Sequence, residues 1–153
     1  MGKPKQKFNI PTQKRNQSLL KGVSDSPTAK QNEQTINDYF LISLKYLDRT
    51  QGQDFSEWEQ ENLLAKAMET LRNYSHNSLV SQVDGKKFNI YGEFPPKKKT
   101  EFNHPKHVPE DAEWARIHVT GKQCIIGFVN RNIFNVVFLD KEHKFWKSEK
   151  KHT

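Results

Sequence analysis

The chain has 153 residues, of which 33% are hydrophobic, and a formal net charge of +7 at pH 7. Its single cysteine, Cys124, excludes an intramolecular disulfide framework and a cysteine-rich zinc site. No apolar stretch approaches the roughly 20 residues that a membrane-spanning helix needs, and no signal-peptide pattern follows the N-terminus. We therefore expect a cytoplasmic protein with one domain and a modest hydrophobic core.

The positive charge is concentrated at the N-terminus. Residues 1–33 contain seven basic and two acidic side chains, a net charge of +5, so the rest of the chain carries only +2. This segment has few large apolar side chains, so it cannot bury enough surface to offset the entropy cost of ordering. We predict a flexible basic tail over residues 1–33 and a single α+β domain over residues 34–153.

The first predicted element is a strand over residues 39–47, which is rich in aromatic and aliphatic side chains. A helix is the alternative, because three leucines of this run also fall at helical spacing. The next element is a helix that Ser56 can cap, with Glu59 completing a capping box, and that runs to about Tyr74. Its apolar side chains form one stripe at helical spacing, made of Trp58, Leu63, Leu64, Ala67, Met68 and Leu71.

Four more strands are predicted after the helix. A loop over residues 92–109 follows the first of them, because its four prolines remove backbone donors and forbid regular structure. Helix and strands do not alternate regularly, which favours an α+β fold: a mostly antiparallel sheet packed by one or two helices. The predicted strands are Lys87–Tyr91, Trp114–Val119, Gln123–Val129 and Ile133–Leu139.

The strand that begins at Trp114 alternates strictly. Trp114, Arg116 and His118 share one face, whereas the side chains between them are apolar and face the core. Arginine can bind a phosphate, histidine can transfer protons near neutral pH, and tryptophan can stack on a base. The alternative is a solvated sheet face whose edge Trp114 covers.

A second candidate proton carrier is His143, which follows the last strand, and Asp140 could orient it or cap the strand. Basic side chains around the sheet and in the proline-rich loop are candidate phosphate ligands. In the loop, the alternative is a solvated charge run. The candidates are Lys122, Arg131, Lys141, Lys144, Lys97, Lys98, Lys99 and Lys106.

No metal or other cofactor is expected. His104 and His107 are three residues apart, but Pro105 enforces extended geometry between them and no thiolate is near in sequence. Cys124 lies inside an apolar run, which favours a buried, inert thiol over a nucleophile.

Over residues 36–147 the chain resembles the RelE/ParE superfamily of small bacterial toxins in architecture and residue class. The closest stretch is Trp114 to Trp146, which looks like that family's closing strands. The resemblance implies a metal-independent ribonuclease that cuts mRNA, often on the ribosome, and that a partner antitoxin silences. It implies that Arg116, Lys122 and Arg131 hold phosphate and that His118 or His143 transfers protons.

Two other functions fit the same residues. One is a non-enzymatic nucleic-acid-binding module that uses its tail and sheet to neutralise phosphates. The other is an interaction protein of bacterial or phage origin whose sheet edge pairs with a partner strand.

Overall fold

A computed structural model describes residues 38–148 of the chain. The predicted basic tail therefore lies outside the described residues, as do 34–37 and 149–153 of the predicted domain. Five strands form one sheet in the order β1-β5-β4-β3-β2, and two α-helices lie between β1 and β2 in the chain. The strands are β1 (Leu41–Ser43), β2 (Phe88–Gly92), β3 (Glu113–Thr120), β4 (Gln123–Asn130) and β5 (Ile133–Asp140).

The α+β prediction is confirmed, and the sheet is mixed. Strands β2 to β5 pair antiparallel in a meander, whereas β1 pairs parallel to β5. The two tight turns of the meander need left-handed backbone, which Gly121 supplies at φ 50° and Arg131 at φ 57°. The boundaries predicted for β2 to β5 agree with the structure to within one residue, but β1 has only three residues.

The predicted helix is two helices, α1 (Phe55–Gln60) and α2 (Leu64–Tyr74). The chain breaks between them at Asn62, whose φ of 58° cannot continue a right-handed helix. The prediction that Ser56 and Glu59 form the capping box was wrong by two residues. Asp54 is the cap: its carboxylate accepts from the Glu57 amide at 2.8 Å, and the Glu57 carboxylate accepts from the Asp54 amide at 3.2 Å.

Both faces of the sheet are covered. The helices cover one face, where Trp58 and Leu71 pack with Ile117 and Phe134 in a continuous apolar cluster. Met68, predicted to join this stripe, is 59% exposed instead. Among residues 38–148 no helix is long and apolar enough to cross a membrane.

The second face is covered by the loop between β2 and β3 and by the segment after β5. Their side chains pack on a second apolar cluster, which includes Phe102, Trp114, Ile126, Phe138 and Phe145. The loop is irregular apart from one 3₁₀ turn at Lys97–Lys99, as its prolines predict. At the β3–β4 turn end of the second face, Arg116 and His118 are half-buried.

Candidate active site

Three polar side chains meet where the second face of the sheet opens to solvent. The alternation of β3 places Arg116 and His118 on this face, as predicted. The third, His143, lies in the turn after β5 with a φ of 58°. Asp140 holds that turn, because its carboxylate oxygens accept from the backbone amides of Lys144 at 3.0 Å and Phe145 at 2.9 Å.

The two imidazole rings are neighbours. The ring centroids of His118 and His143 are 5.6 Å apart, and the ring planes are tilted by 25°. Arg116 lies beside them, with its Nη1 3.4 Å from Nε2 of His143. The structure therefore brings His143 within reach of Arg116 and His118.

Arg116 forms no ion pair with a carboxylate of the residues that the structure describes. Its Nη2 donates to the carbonyl of Lys86 at 3.4 Å, and its guanidinium lies 5.3 Å from the centre of the Tyr91 ring. A half-buried guanidinium that has no carboxylate partner among the described residues is suited to bind an anion.

The surroundings favour neutral His118. Burial lowers the pKa of His118, and the neighbouring Arg116 guanidinium and His143 imidazole lower it further. The carbonyl of Gly121, 3.2 Å from His118 Nδ1, opposes this shift without reversing it. A neutral imidazole can accept a proton, so His118 suits the role of a general base.

A pocket of about 620 Å³ opens onto both histidines. Its rim carries three lysines, Lys122, Lys144 and Lys147, and two glutamates that neutralise part of their charge. Lys122 Nζ is 3.0 Å from Glu142, and Lys144 Nζ is 3.3 Å from Glu101. A phosphate would have to compete with these glutamates, and such exposed ion pairs are weak.

Backbone hydrogen bonds join the lysine-rich turn Lys97–Lys99 and its neighbour Glu101 to the segment that follows β5. The amide of Lys147 donates to the carbonyl of Lys99 at 2.7 Å, and the amide of Glu101 donates to the carbonyl of Lys144 at 3.0 Å. These bonds place the cations predicted in the loop beside the predicted cations after β5. Lys97, Lys98 and Lys99 are therefore close to that segment, although they do not line the pocket.

The structure does not bring the remaining predicted cations to this pocket. Arg131 lies in the β4–β5 turn at the opposite end of β4, where it lines a different pocket with Asp111 and Glu113. Lys141 pairs with Glu61 of the loop after α1 at 2.6 Å. Lys106 is exposed and belongs to a turn whose His107 bonds the carbonyl of Tyr46, also outside the pocket.

Trp114 cannot stack on a base, which corrects its assignment as a nucleic-acid ligand. Its side chain is 0% exposed, and its ring packs against Phe94 at 5.1 Å and Phe145 at 5.3 Å. The alternation of β3 gave the correct face. The error came from treating that face as open, since the loop that covers it comes from residues distant in sequence.

Sequence reasoning missed a set of possible metal ligands at this site. His118, His143 and the buried thiol of Cys124 each offer one ligand atom, and these atoms all lie within 4.8 Å of one another. Burial is the main cause that raises the pKa of Cys124, to about 12. The three residues lie close to one another because β3 pairs with β4 and the turn after β5 folds back. They form no recognisable spacing motif in the sequence.

We compared the chain with protein-family models, curated proteins and solved structures, and no match was found in any of the three. The site is therefore interpreted from its own geometry and charge.

Proposed function

We propose that this protein binds RNA and cleaves it without a metal ion, with His118 and His143 as the proton carriers. The observation that carries the proposal is the pair of adjacent imidazoles, with centroids 5.6 Å apart, beside the guanidinium of Arg116. This is the minimal equipment for phosphodiester transfer: a base, an acid and a cation for the phosphate.

The roles follow from the environment of each group. Neutral His118 takes the proton of a ribose 2′-hydroxyl, and the 2′-oxygen attacks the adjacent phosphorus. The bond from phosphorus to the 5′-oxygen breaks, and His143 gives a proton to that oxygen. The products are a 2′,3′-cyclic phosphate and a free 5′-hydroxyl, so no water or metal takes part in this step.

Arg116 stabilises the charge that develops on the phosphate. In the free protein it contacts Nε2 of His143 at 3.4 Å, so a bound phosphate would draw the guanidinium away and release that nitrogen. Binding of the substrate would thereby prepare His143 to carry its proton. The lysines of the rim would hold the neighbouring phosphates, and their contribution should weaken as salt increases.

We propose that the protein is an endoribonuclease of the toxin type. Its substrate is mRNA, bound alone or on the ribosome, and a partner antitoxin keeps the enzyme silent. The net charge of +7 and the basic pocket support a polyanionic substrate. The resemblance of residues 36–147 to RelE/ParE toxins supports the choice of mRNA.

The test is cleavage of end-labelled RNA by the full chain in the presence of EDTA, with and without ribosomes. We expect fragments that end in a 2′,3′-cyclic phosphate and an intact strand when the same sequence is supplied as DNA. His76→Ala is the matched control, because His76 is an exposed imidazole at the end of α2 outside the pocket. If RNA survives the parent protein in every condition, the enzyme proposal fails and a non-enzymatic binding module takes its place.

A further inference from the structure

We propose that His118, Cys124 and His143 form a binding site for a soft divalent cation of the Zn²⁺ class, and that the bound ion silences the protein. Two imidazole nitrogens and a thiolate are ligands that such ions prefer. The ligand site goes beyond RNA cleavage and would exist without it. Only the silencing effect rests on the proposed function.

The distances suit a tetrahedral ion. Zinc binds sulfur at about 2.3 Å and nitrogen at about 2.0–2.1 Å, so in a tetrahedral site with one sulfur the neighbouring ligand atoms lie about 3.3–3.6 Å apart. The Sγ atom of Cys124 is already 3.4 Å from Nδ1 of His118. All three ligand atoms lie within 4.8 Å of one another. Side-chain rotations that move these atoms by about 1 Å would bring them to the distances of a tetrahedral site.

The ligands come from restrained parts of the fold. His118 and Cys124 are direct partners across the antiparallel pair β3–β4, and Cys124 is 1% exposed. The turn that carries His143 is held by the two hydrogen bonds to Asp140. The pocket beside both histidines leaves a fourth coordination position to water or an external ligand.

Two charges near the site act in opposite directions. Asp140 is 2% exposed and is the direct partner of Cys124 across the antiparallel pair β4–β5. Its negative charge would stabilise a cation that the thiolate binds. Arg116 opposes the ion, because its guanidinium lies 3.4 Å from Nε2 of His143.

An ion at this position would compete with catalysis. It would occupy the lone pairs that His118 and His143 need for proton transfer. It would also place a second positive charge beside Arg116. Because Arg116→Ala removes the guanidinium charge, this variant should bind the metal more tightly and RNA more weakly.

The experiment is a Co²⁺ titration of the full chain without a polyhistidine tag, kept reduced, followed by displacement with Zn²⁺. We expect one ion per chain, a thiolate-to-cobalt charge-transfer band in the near ultraviolet, and loss of that band when zinc is added. Cys124→Ser should abolish the band and weaken zinc binding at least 100-fold, on the order of the largest losses seen when a supporting outer-shell group is removed. His76→Ala should behave like the parent.

Absence of a stoichiometric cobalt complex in the parent would overturn the site, as would cobalt binding without the thiolate band. Binding to Cys124→Ser with the parent's affinity would overturn it too, once circular dichroism shows that the variant is folded. His143→Ala provides a second ligand variant if the serine variant fails to fold. These measurements contain no RNA, so they stand or fall independently of the cleavage assay. The silencing effect is overturned separately if the parent cleaves RNA equally fast with saturating zinc and with EDTA.

Discussion

His118 and His143 lie with their ring centroids 5.6 Å apart, although they belong to different elements of the fold. His118 is fixed by the pairing of β3 with β4, and His143 by a turn that Asp140 holds closed. Two imidazoles at this separation beside a guanidinium are not required by the apolar core. The pair is the reason to interpret this end of the sheet as a site of chemistry.

Arg116 is predicted to act on binding and on catalysis together. Arg116→Ala should lower RNA affinity and the cleavage rate, because a cation that holds a phosphate interacts with the ground state and the transition state. Arg116→Lys should restore part of the affinity through its charge but less of the rate, since it lacks the planar fork. Filter binding to an uncleavable 2′-deoxy strand and single-turnover cleavage measure the two effects. If Arg116→Ala keeps the parent's RNA affinity and cleavage rate, Arg116 does not bind the phosphate.

Asp140 is predicted to be a positioning residue. Asp140→Asn should lower kcat with little change in KM, because weaker bonds to Lys144 and Phe145 would let His143 move while Arg116 on β3 stays in place to hold the phosphate. The free energy of unfolding should fall by about 1–3 kcal/mol, the usual loss when hydrogen bonds to a charged group are weakened. Steady-state kinetics and urea melts test these expectations. A variant that is less stable but has an unchanged kcat would show that the turn matters only for folding.

The sequence predicted most of the sheet because its strands alternate clearly or form apolar runs bounded by Gly121 and by the Arg131 turn. It placed the cap of α1 at Ser56 because two capping boxes overlap there, and only the structure shows that Asp54 is used. The helix stripe was right for Trp58 and Leu71 and wrong for Met68.

The site was predicted in part. Arg116, His118 and His143 could be named from alternation and residue type, and the structure brings them together. The burial of Trp114 and the proximity of Cys124 to the two histidines could not be predicted. Both depend on which distant segments fold over the second face of the sheet, and the local sequence pattern does not predict this.

Trp114 is predicted to stabilise the fold and not to contact RNA. Trp114→Ala should lower the free energy of unfolding by about 3–5 kcal/mol, because it leaves a large cavity under Phe94 and Phe145. Trp114→Phe fills most of that space, so its RNA affinity should match that of the parent. Thermal melting and filter binding give the comparison. If a stable Trp114→Phe variant binds RNA more weakly than the parent, the Trp114 ring does contact RNA.

The most direct test of the central claim is the single-turnover rate of RNA cleavage in EDTA for the parent, His118→Ala and His143→Ala. We predict that the parent cleaves and that each variant is slower by about 10²–10⁴-fold, the range expected when a general acid or base is removed. Circular dichroism should show that both variants are folded, and His76→Ala should cleave like the parent. Equal rates for the parent and the folded His118→Ala and His143→Ala variants would contradict the claim that this imidazole pair carries the chemistry.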